Sequence, residues 1–136
     1  MRCEVVDELS VEIKDEPGAV SHVLDVVAES GSPIRAFCGY AMAGAGNVMF
    51  VPKNVVKAKA ALRKAGYKAI LTTKVVIATA LDKPGMGAKL LDKARDKGIN
   101  LEYAYATGTG RGTGAIVLST GSGVLARKLA KVLAGK

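Results

Sequence analysis

Aromatic residues, cysteine and histidine are scarce in this sequence. It holds no tryptophan, four tyrosines, two phenylalanines, two cysteines and one histidine among 136 residues. Cys3 and Cys38 form no C-x-x-C pair, so we expect two reduced thiols and neither a metal centre nor a redox pair. His22 has no serine, cysteine or carboxylate at a spacing typical of catalysis. We therefore expect no catalytic residue, no metal and no cofactor, and we predict that the protein is not an enzyme.

Long apolar runs are also missing. No stretch approaches the roughly 20 apolar residues that a membrane-spanning helix requires. The N-terminus reaches an acidic residue at Glu4 and has no apolar core of the kind found in a signal peptide. The expected location is therefore the cytoplasm, and we expect no membrane association.

A large apolar fraction and an excess of basic residues characterise what is present. Hydrophobic residues make up 49% of the chain and charged residues 24%, which is typical of a protein that buries a core. The net charge of +8 is able to attract nucleic acid or acidic partners. Most of the positive residues are lysines spread along predicted helices, where they are expected to face solvent.

The strongest pattern in the sequence is an internal repeat. Asp15-Glu-Pro-Gly18 recurs as Asp82-Lys-Pro-Gly85, about 67 residues further on. The same shift, without a gap, pairs Leu24 with Leu91, Asp25 with Asp92, Gly31 with Gly98, Leu62 with Leu129 and Lys64 with Lys131. A register kept over this length indicates a duplication. We predict two units, 7–73 and 74–136.

Each unit shows the order strand, helix, strand, strand, helix, strand. Apolar residues at helical spacing follow each D-x-P-G turn. The predicted strands are 9–14, 34–42, 47–51 and 69–73 in the first unit and 75–81, 99–107 and 115–119 in the second. The second helices are predicted at 54–65 and 122–133, with N-caps Asn54 and Ser122, while Gly31 and Gly98 end the first helices. This order predicts an α+β, ferredoxin-like βαββαβ fold with antiparallel sheets and helices on one face.

The second unit lacks its last strand in this scheme. Segment 2–6 lies one repeat length before segment 69–73, the last strand of the first unit. Segment 2–6 is therefore the equivalent of the strand that the second unit lacks. We predict that 2–6 completes the second unit while 69–73 serves the first. This exchange would cover a sheet edge that is otherwise open.

A glycine-rich segment lies between two predicted strands of the second unit. Gly108-Thr-Gly-Arg-Gly-Thr-Gly114 lacks the G-K-[ST] ending of a phosphate-binding loop and does not precede a helix. It predicts a hairpin rather than a nucleotide site. Arg111 at its tip is placed to reach an anionic ligand or partner.

The repeated strand, D-x-P-G turn and helix ending in glycine resemble the ACT domain. The stretch from Asp82-Lys-Pro-Gly85 through Lys97-Gly-Ile-Asn-Leu101 is a close fit, and the first unit fits at Asp15–Gly18 and Gly31 but has Ser32-Pro33 where the pattern often ends in asparagine. The resemblance covers nearly the whole chain and is to the small stand-alone tandem ACT proteins.

That resemblance implies a regulatory module which binds an amino acid at the interface between ACT units and modulates a partner protein, such as an enzyme. Exposed sheet edges and faces predict a homodimer. Contacts are expected from the loop between the first strand and first helix and from the start of the second strand. In the first unit these are Asp15, Pro17, Gly18, Ala19, Val20, Ser32 and Pro33. In the second they are Asp82, Pro84, Gly85, Met86, Gly87 and Asn100.

The physical chemistry of these loops supports that assignment. A helix N-terminus offers unpaired N–H groups to a carboxylate, and the loop glycines leave the backbone bare. Asp15 and Asp82 are able to accept hydrogen bonds from an ammonium group, although a role in capping the following helix is the simpler interpretation. Asn100 has both a donor and an acceptor where the first unit has Pro33, so we expect the second loop to hold ligand better.

Two other function classes stay open. The βαββαβ order is shared with RNA-recognition folds, and the chain is basic. Those folds stack bases on aromatic residues of central strands, and here Phe50 is the one aromatic available, so we do not expect nucleic acid as the partner. A purely structural or assembly subunit is the remaining alternative.

Overall fold

The computed structural model describes residues 2–108 and 112–135. These ranges hold strands β1 Arg2–Lys14, β2 Ile34–Met42, β3 Ala45–Pro52, β4 Ile70–Leu81, β5 Tyr103–Thr107 and β6 Thr113–Ser119. They also hold helices α1 Ala19–Glu29, α2 Val55–Lys64, α3 Met86–Asp96 and α4 Gly123–Leu133. Within the described ranges, no helix combines the length and apolar character needed to cross a membrane.

The chain divides into two compact units. The first unit runs from Asp7 to Thr73, and the second combines the residues up to Val6 with those from Lys74 onward. β1 and β4 are each one continuous strand that contributes to both units, where the sequence pattern suggested separate short strands. The chain therefore passes from one unit into the next through extended backbone rather than through a loop.

The first unit is a layer of two helices on an antiparallel sheet. Its strands follow the order β2, β3, β1, β4, and β3 pairs antiparallel with both β1 and β2. The period of two along β1 and β3 directs Leu9, Val11, Val48 and Phe50 to the helices. They are fully buried there with four residues of the two helices: Val23, Val27, Ala58 and Leu62.

The second unit repeats this arrangement with strands from both ends of its sequence. Its strands follow the order β1, β4, β6, β5, with β6 antiparallel to both β4 and β5. Val76, Ala78 and Leu118 pack on five residues that lie on or beside the helices: Leu90, Ala94, Ile99, Ala126 and Leu129. Cys3 and Val5 lie against this same core. The predicted α+β fold, with an N-terminal strand completing the second unit, is confirmed.

The helix ends follow the predicted capping chemistry. The Asn54 side chain accepts a hydrogen bond from the Lys57 N–H at 3.0 Å, and Ser122 accepts one from the Leu125 N–H at 3.4 Å. Gly31 and Gly98 follow α1 and α3 with φ of 85° and 67°, which is the left-handed conformation that closes a helix. The predicted caps are therefore confirmed.

The predicted strand 99–107 is wrong at its beginning. β5 starts only at Tyr103. Ile99 is instead buried in the core of the second unit, and the Glu102 N–H donates to the Ser119 carbonyl at 2.8 Å just before regular pairing begins. The residues from Ile99 onward resemble a strand in sequence, because periodicity alone does not distinguish a connection packed on the core from a strand.

Equivalent core leucines give a test of the two units. Leu62 and Leu129 are both fully buried, each in its own core. We predict that Leu62→Ala and Leu129→Ala each lower the free energy of unfolding by about 2 to 5 kcal/mol, because each leaves a cavity. Urea denaturation followed by circular dichroism measures this. Val56, which is 76% exposed, is the control, and Val56→Ala should change stability by no more than about 0.5 kcal/mol. A loss below 1 kcal/mol in both leucine variants would contradict the assigned cores.

Candidate functional site

The loop between β1 and α1 presents a backbone without a side-chain cap. Gly18 occupies the N-cap position with φ of 83°, and no side chain accepts a hydrogen bond from the start of α1. The Ala19 N–H donates to the Glu16 carbonyl at 3.3 Å, and the His22 N–H donates to the Gly18 carbonyl at 2.9 Å. The first turn of α1 thus has no side-chain cap, and uncapped helix starts are the feature that anion recognition uses.

The loop between β4 and α3 has the same geometry. Gly85 takes φ of 86° at the N-cap, the Met86 N–H donates to the Lys83 carbonyl at 3.3 Å, and the Lys89 N–H donates to the Gly85 carbonyl at 2.9 Å. Neither α1 nor α3 has a side-chain capping bond. Asp15 does not cap α1, because a left-handed glycine stands at the N-cap and the Asp15 carboxylate accepts no hydrogen bond from the described residues. The capping interpretation of Asp82 stays a prediction.

A cavity of about 560 Å³ opens beside the loop of the first unit. Three predicted contact residues line it: Pro17, Gly18 and Ala19. The other lining residues are Glu12, Ile13, Lys14, Glu16, His22 and Tyr67. His22 Nδ1 contacts the Tyr67 hydroxyl, with ring centroids 5.6 Å apart. Burial raises the pKa of the Tyr67 phenol above its ordinary value, so the hydroxyl stays protonated.

The two remaining loop residues of the first unit have different environments. The Asp15 carboxylate is exposed and has no hydrogen-bond or ion-pair partner within 2–108 and 112–135. Val20 is half-buried and packs against the core of the first unit. A Cβ added at Gly39 would lie 3.0 Å from Val20 Cγ2, so glycine at position 39 lets β2 approach α1. Asp15 is thus available for a ligand, and Val20 is a packing residue.

The second loop differs in where its aspartate points. The Asp82 carboxylate lies over the hairpin between β5 and β6, so close to Gly108 that an added Cβ there would stand 2.5 Å from Asp82 Oδ2. The Asp82 N–H also donates to the Gly112 carbonyl at 2.8 Å. Pro84 and Gly85 are exposed, and Met86 and Gly87 are half-buried. Arg111, predicted to reach a ligand, lies outside the described residues.

The residues predicted at the start of the second strand lie at the other end of the first helix. Ser32 is buried, and its hydroxyl accepts from the Asn54 N–H at 3.0 Å, so it supports the start of α2. Pro33 is exposed and lines a separate cavity of about 480 Å³ with Ser32, Leu24 and Ala28. Asn100 is exposed, and its side chain has no partner among the residues described. α1 has eleven residues and spans about 16 Å. Within one unit it therefore separates the predicted loop residues at its start from Ser32 and Pro33 beyond its end, so the two sets do not contact the same ligand.

His22 and Tyr67 are functional candidates that the sequence reasoning did not select. The sequence spacing only excluded His22 as a catalytic residue, and it gave no prediction for Tyr67. One signal was present: the positions one repeat later are Lys89 and Ala134, so the two units diverge at these residues. The expectation that the second loop holds ligand better stays a prediction, and the cavity described above belongs to the first loop.

Other site chemistries find no support in the described part of the chain. Within 2–108 and 112–135, no three His, Cys, Asp or Glu side chains come together as a metal-binding group. Phe50 is fully buried in the first core, so it offers no stacking surface for a base. Tyr103 and Tyr105 stack on each other at 6.4 Å between ring centroids and are half-buried on β5.

Comparison with known proteins identifies the fold. No family model matches the sequence, and no curated protein matches it. Solved structures do match. Protein BT0572 from Bacteroides thetaiotaomicron has 25% identity and a TM-score of 0.82, over 98% of this chain and 89% of that one. The ligand-free regulatory subunit of aspartate kinase from Thermus thermophilus has 15% identity and a TM-score of 0.70, over 99% and 96%.

The chain has the tandem ACT fold. A third structure, the aspartokinase alpha and beta subunits, matches this tandem ACT chain over its whole length with 16% identity and a TM-score of 0.66. Aspartate kinase from Synechocystis also matches, with 15% identity and a TM-score of 0.69, over 98% of this chain and 26% of that one. The fold is therefore similar to regulatory subunits of aspartate kinase and to a limited part of an aspartate kinase chain.

Because Asp82 lies against Gly108, replacing Gly108 and replacing Gly87 by alanine should affect the free energy of unfolding differently. Gly108→Ala should lower the free energy of unfolding by about 1 to 3 kcal/mol, because its Cβ displaces the Asp82 carboxylate. Gly87→Ala, in the first turn of α3 with no atom within 4 Å of the added Cβ, should leave stability equal or raise it by about 0.5 kcal/mol.

The double variant Gly108→Ala with Asp82→Ala serves as the control. It should lose less stability than the sum of the two single variants, since the atoms that clash have been removed. Thermal denaturation of the four variants provides the comparison. Strict additivity would show that the Asp82 carboxylate does not occupy the position next to Gly108.

Proposed function

We propose that this tandem ACT protein is a regulatory sensor that binds an amino acid and modulates a partner protein, without catalysing a reaction itself. In both units the first helix starts at a glycine N-cap without a capping side chain. The observation that carries the proposal is that a cavity lies beside this helix start in the first unit. The regulatory subunits of aspartate kinase from Thermus thermophilus and Thermus flavus share this fold, which supports the same class of function.

The loop of the first unit has complementary chemistry for an α-amino acid. The uncapped first turn of α1 is suited to the ligand carboxylate, because its N–H groups and partial positive charge point outward. Asp15, whose carboxylate has no partner among the described residues, and Glu16 precede this turn and suit the ammonium group. His22 and Tyr67 form an aromatic wall for the side chain. The loop Asp82–Gly87 is the second, equivalent contact region in this proposal.

A second copy of the chain completes the site in this proposal. Since α1 separates the loop residues from Ser32 and Pro33 within one unit, a ligand that touches both groups needs another ACT unit. The exposed Asn100 is available for such a contact. β2 is the outer strand of the first unit, so one of its edges is open for pairing in a homodimer. Phe37, Tyr40 and Met42 of this strand also have exposed apolar side chains.

Ligand binding would act on the partner by shifting an equilibrium. A ligand stabilises the arrangement that it binds more tightly, to the extent of its differential affinity. An arrangement favoured in this way would expose or hide the surface that the partner recognises. We also propose a cytoplasmic location, since Cys3 and Cys38 are both free thiols, as expected in a reducing compartment.

Calorimetric titration of the full chain with the twenty amino acids tests this function. We expect at least one to bind, and its saturating addition to raise the melting temperature, because a ligand at 100 times its Kd adds about 2.7 kcal/mol of stability. His22→Ala and Asp15→Ala should weaken that binding about 5- to 50-fold, by loss of a hydrogen bond or charge contact.

Matched variants of the repeat provide the controls. Lys89 occupies the position of His22 one repeat later, so Lys89→Ala should leave binding unchanged if the first loop is the site. Asp82→Ala reports on the second loop in the same way. Absence of binding by every amino acid at millimolar concentration would contradict the sensor function. A ligand-independent dimer with an unchanged melting temperature would favour the assembly alternative.

A further inference from the structure

A polar network lies on the sheet face of the first unit that points away from its helices. Asn47 of β3 stands directly opposite Glu12 of β1 and Tyr40 of β2, so the three residues form one cross-strand row. Their neighbours Val11 and Val48 point to the other face and are buried in the core. The row therefore belongs to the outer face of the sheet.

Asn47 holds two hydroxyl groups in place. Its Nδ2 donates to Ser10 Oγ at 2.8 Å and to Tyr40 Oη at 3.2 Å, and Ser10 Oγ lies 3.1 Å from Asn47 Oδ1. Because the Tyr40 oxygen accepts from Asn47, the phenol hydrogen remains available to an outside acceptor. A network of this kind orients donors before a ligand arrives, which lowers the cost of binding.

The network lines a cavity of about 740 Å³, which shares Glu12 and Ile13 with the cavity beside the loop and is otherwise lined by different residues. Its apolar walls come from Met42 and Leu71, which are 71% and 64% exposed. Apolar walls around a few oriented polar groups are the usual composition of a small-molecule site. The flexible Met42 side chain is able to adapt to different apolar groups.

Two opposite charges line the same cavity. Lys68 and Glu12 are both exposed, and neither side chain has a hydrogen-bond or ion-pair partner within 2–108 and 112–135. A ligand with a carboxylate and an ammonium group would pair with both, and a ligand with one charge would leave the other unpaired. The lining thus matches a zwitterion with an apolar side chain.

The second unit lacks the two charges, the amide and the phenol of this set, although threonine stands at two of the five positions. The positions one repeat later than Ser10, Glu12, Tyr40, Asn47 and Lys68 are Ile77, Thr79, Thr107, Gly114 and Gly135. The fold therefore does not require the polar set, since the equivalent sheet forms without it. Its presence in the first unit alone points to a role other than folding.

We propose that this sheet face is a second ligand site, which takes an α-amino acid with a large apolar side chain. The ligand carboxylate binds Lys68 and the Tyr40 hydroxyl, the ammonium group binds Glu12, and the side chain packs between Met42 and Leu71. The site is separate from the loop site of the proposed function and does not require that function to be correct.

L-leucine is the probe, titrated into the full chain by calorimetry and by NMR of the Asn47 side-chain amide and the Met42 methyl group. We expect both signals to shift on binding. 4-Methylpentanoate, which lacks the ammonium group, and 3-methylbutylamine, which lacks the carboxylate, should bind about 10-fold or more weakly, because each leaves one protein charge unpaired.

Exposed positions supply variants that retain the fold. Lys68→Gln and Leu71→Ser should each weaken L-leucine binding about 5- to 20-fold. Tyr40→Phe should weaken it about 3- to 10-fold through loss of one hydrogen bond. The controls are Thr107→Val, at the position equivalent to Tyr40, and Val56→Ser on exposed α2, and both should leave the affinity unchanged.

His22→Ala separates this site from the loop. If it abolishes L-leucine binding while Lys68→Gln and Leu71→Ser do not, the sheet-face site is overturned and the loop function stands. If the sheet-face variants abolish binding and His22→Ala does not, the second site is supported. Absence of any L-leucine binding or NMR shift overturns the second site, whereas the loop function is judged by the other amino acids.

Discussion

The left-handed backbone at Gly18 and Gly85 is the constraint on which the candidate loop site depends. Residues with a Cβ rarely adopt a φ near 85°, so glycine allows the chain to turn from strand into helix within four residues. The same glycine occupies the N-cap position, where a side chain would otherwise bond to the first-turn N–H groups. The turn thus produces a helix start that has no side-chain cap.

Duplication has preserved the core and changed the surfaces. Leu62 and Leu129 occupy equivalent positions and are both fully buried, because each unit must fill the same space between sheet and helices. Around the loop, His22 and Tyr67 correspond to Lys89 and Ala134, and surface positions are not constrained by packing in this way. Two units with one fold therefore differ in what they are able to bind.

The aspartate in the loop between β4 and α3 has a different environment from the aspartate in the loop between β1 and α1. Asp82 is held against the hairpin that follows β5, whereas Asp15 stands exposed, although both aspartates occupy the same place in the repeat. The hairpins differ because β2 and β3 are joined by a tight turn at Ala43 and Gly44, while the second unit has the longer glycine-rich segment. The connection between β5 and β6 thus contacts Asp82 through Gly108 and Gly112, whereas Asp15 in the first unit stays exposed.

The sequence by itself determined the repeat, the order of elements, the helix caps and the exchanged N-terminal strand, because periodicity, glycine and capping residues act locally or recur at a constant shift. It misplaced the start of β5 and did not separate the environments of Asp15 and Asp82, since both depend on contacts that sequence spacing does not show. The tertiary structure alone decided which side chains meet. His22 with Tyr67 and Asn47 with Ser10 and Tyr40 are brought together by sheet register and helix packing across 45, 37 and 7 residues. No local pattern specifies such distant pairs.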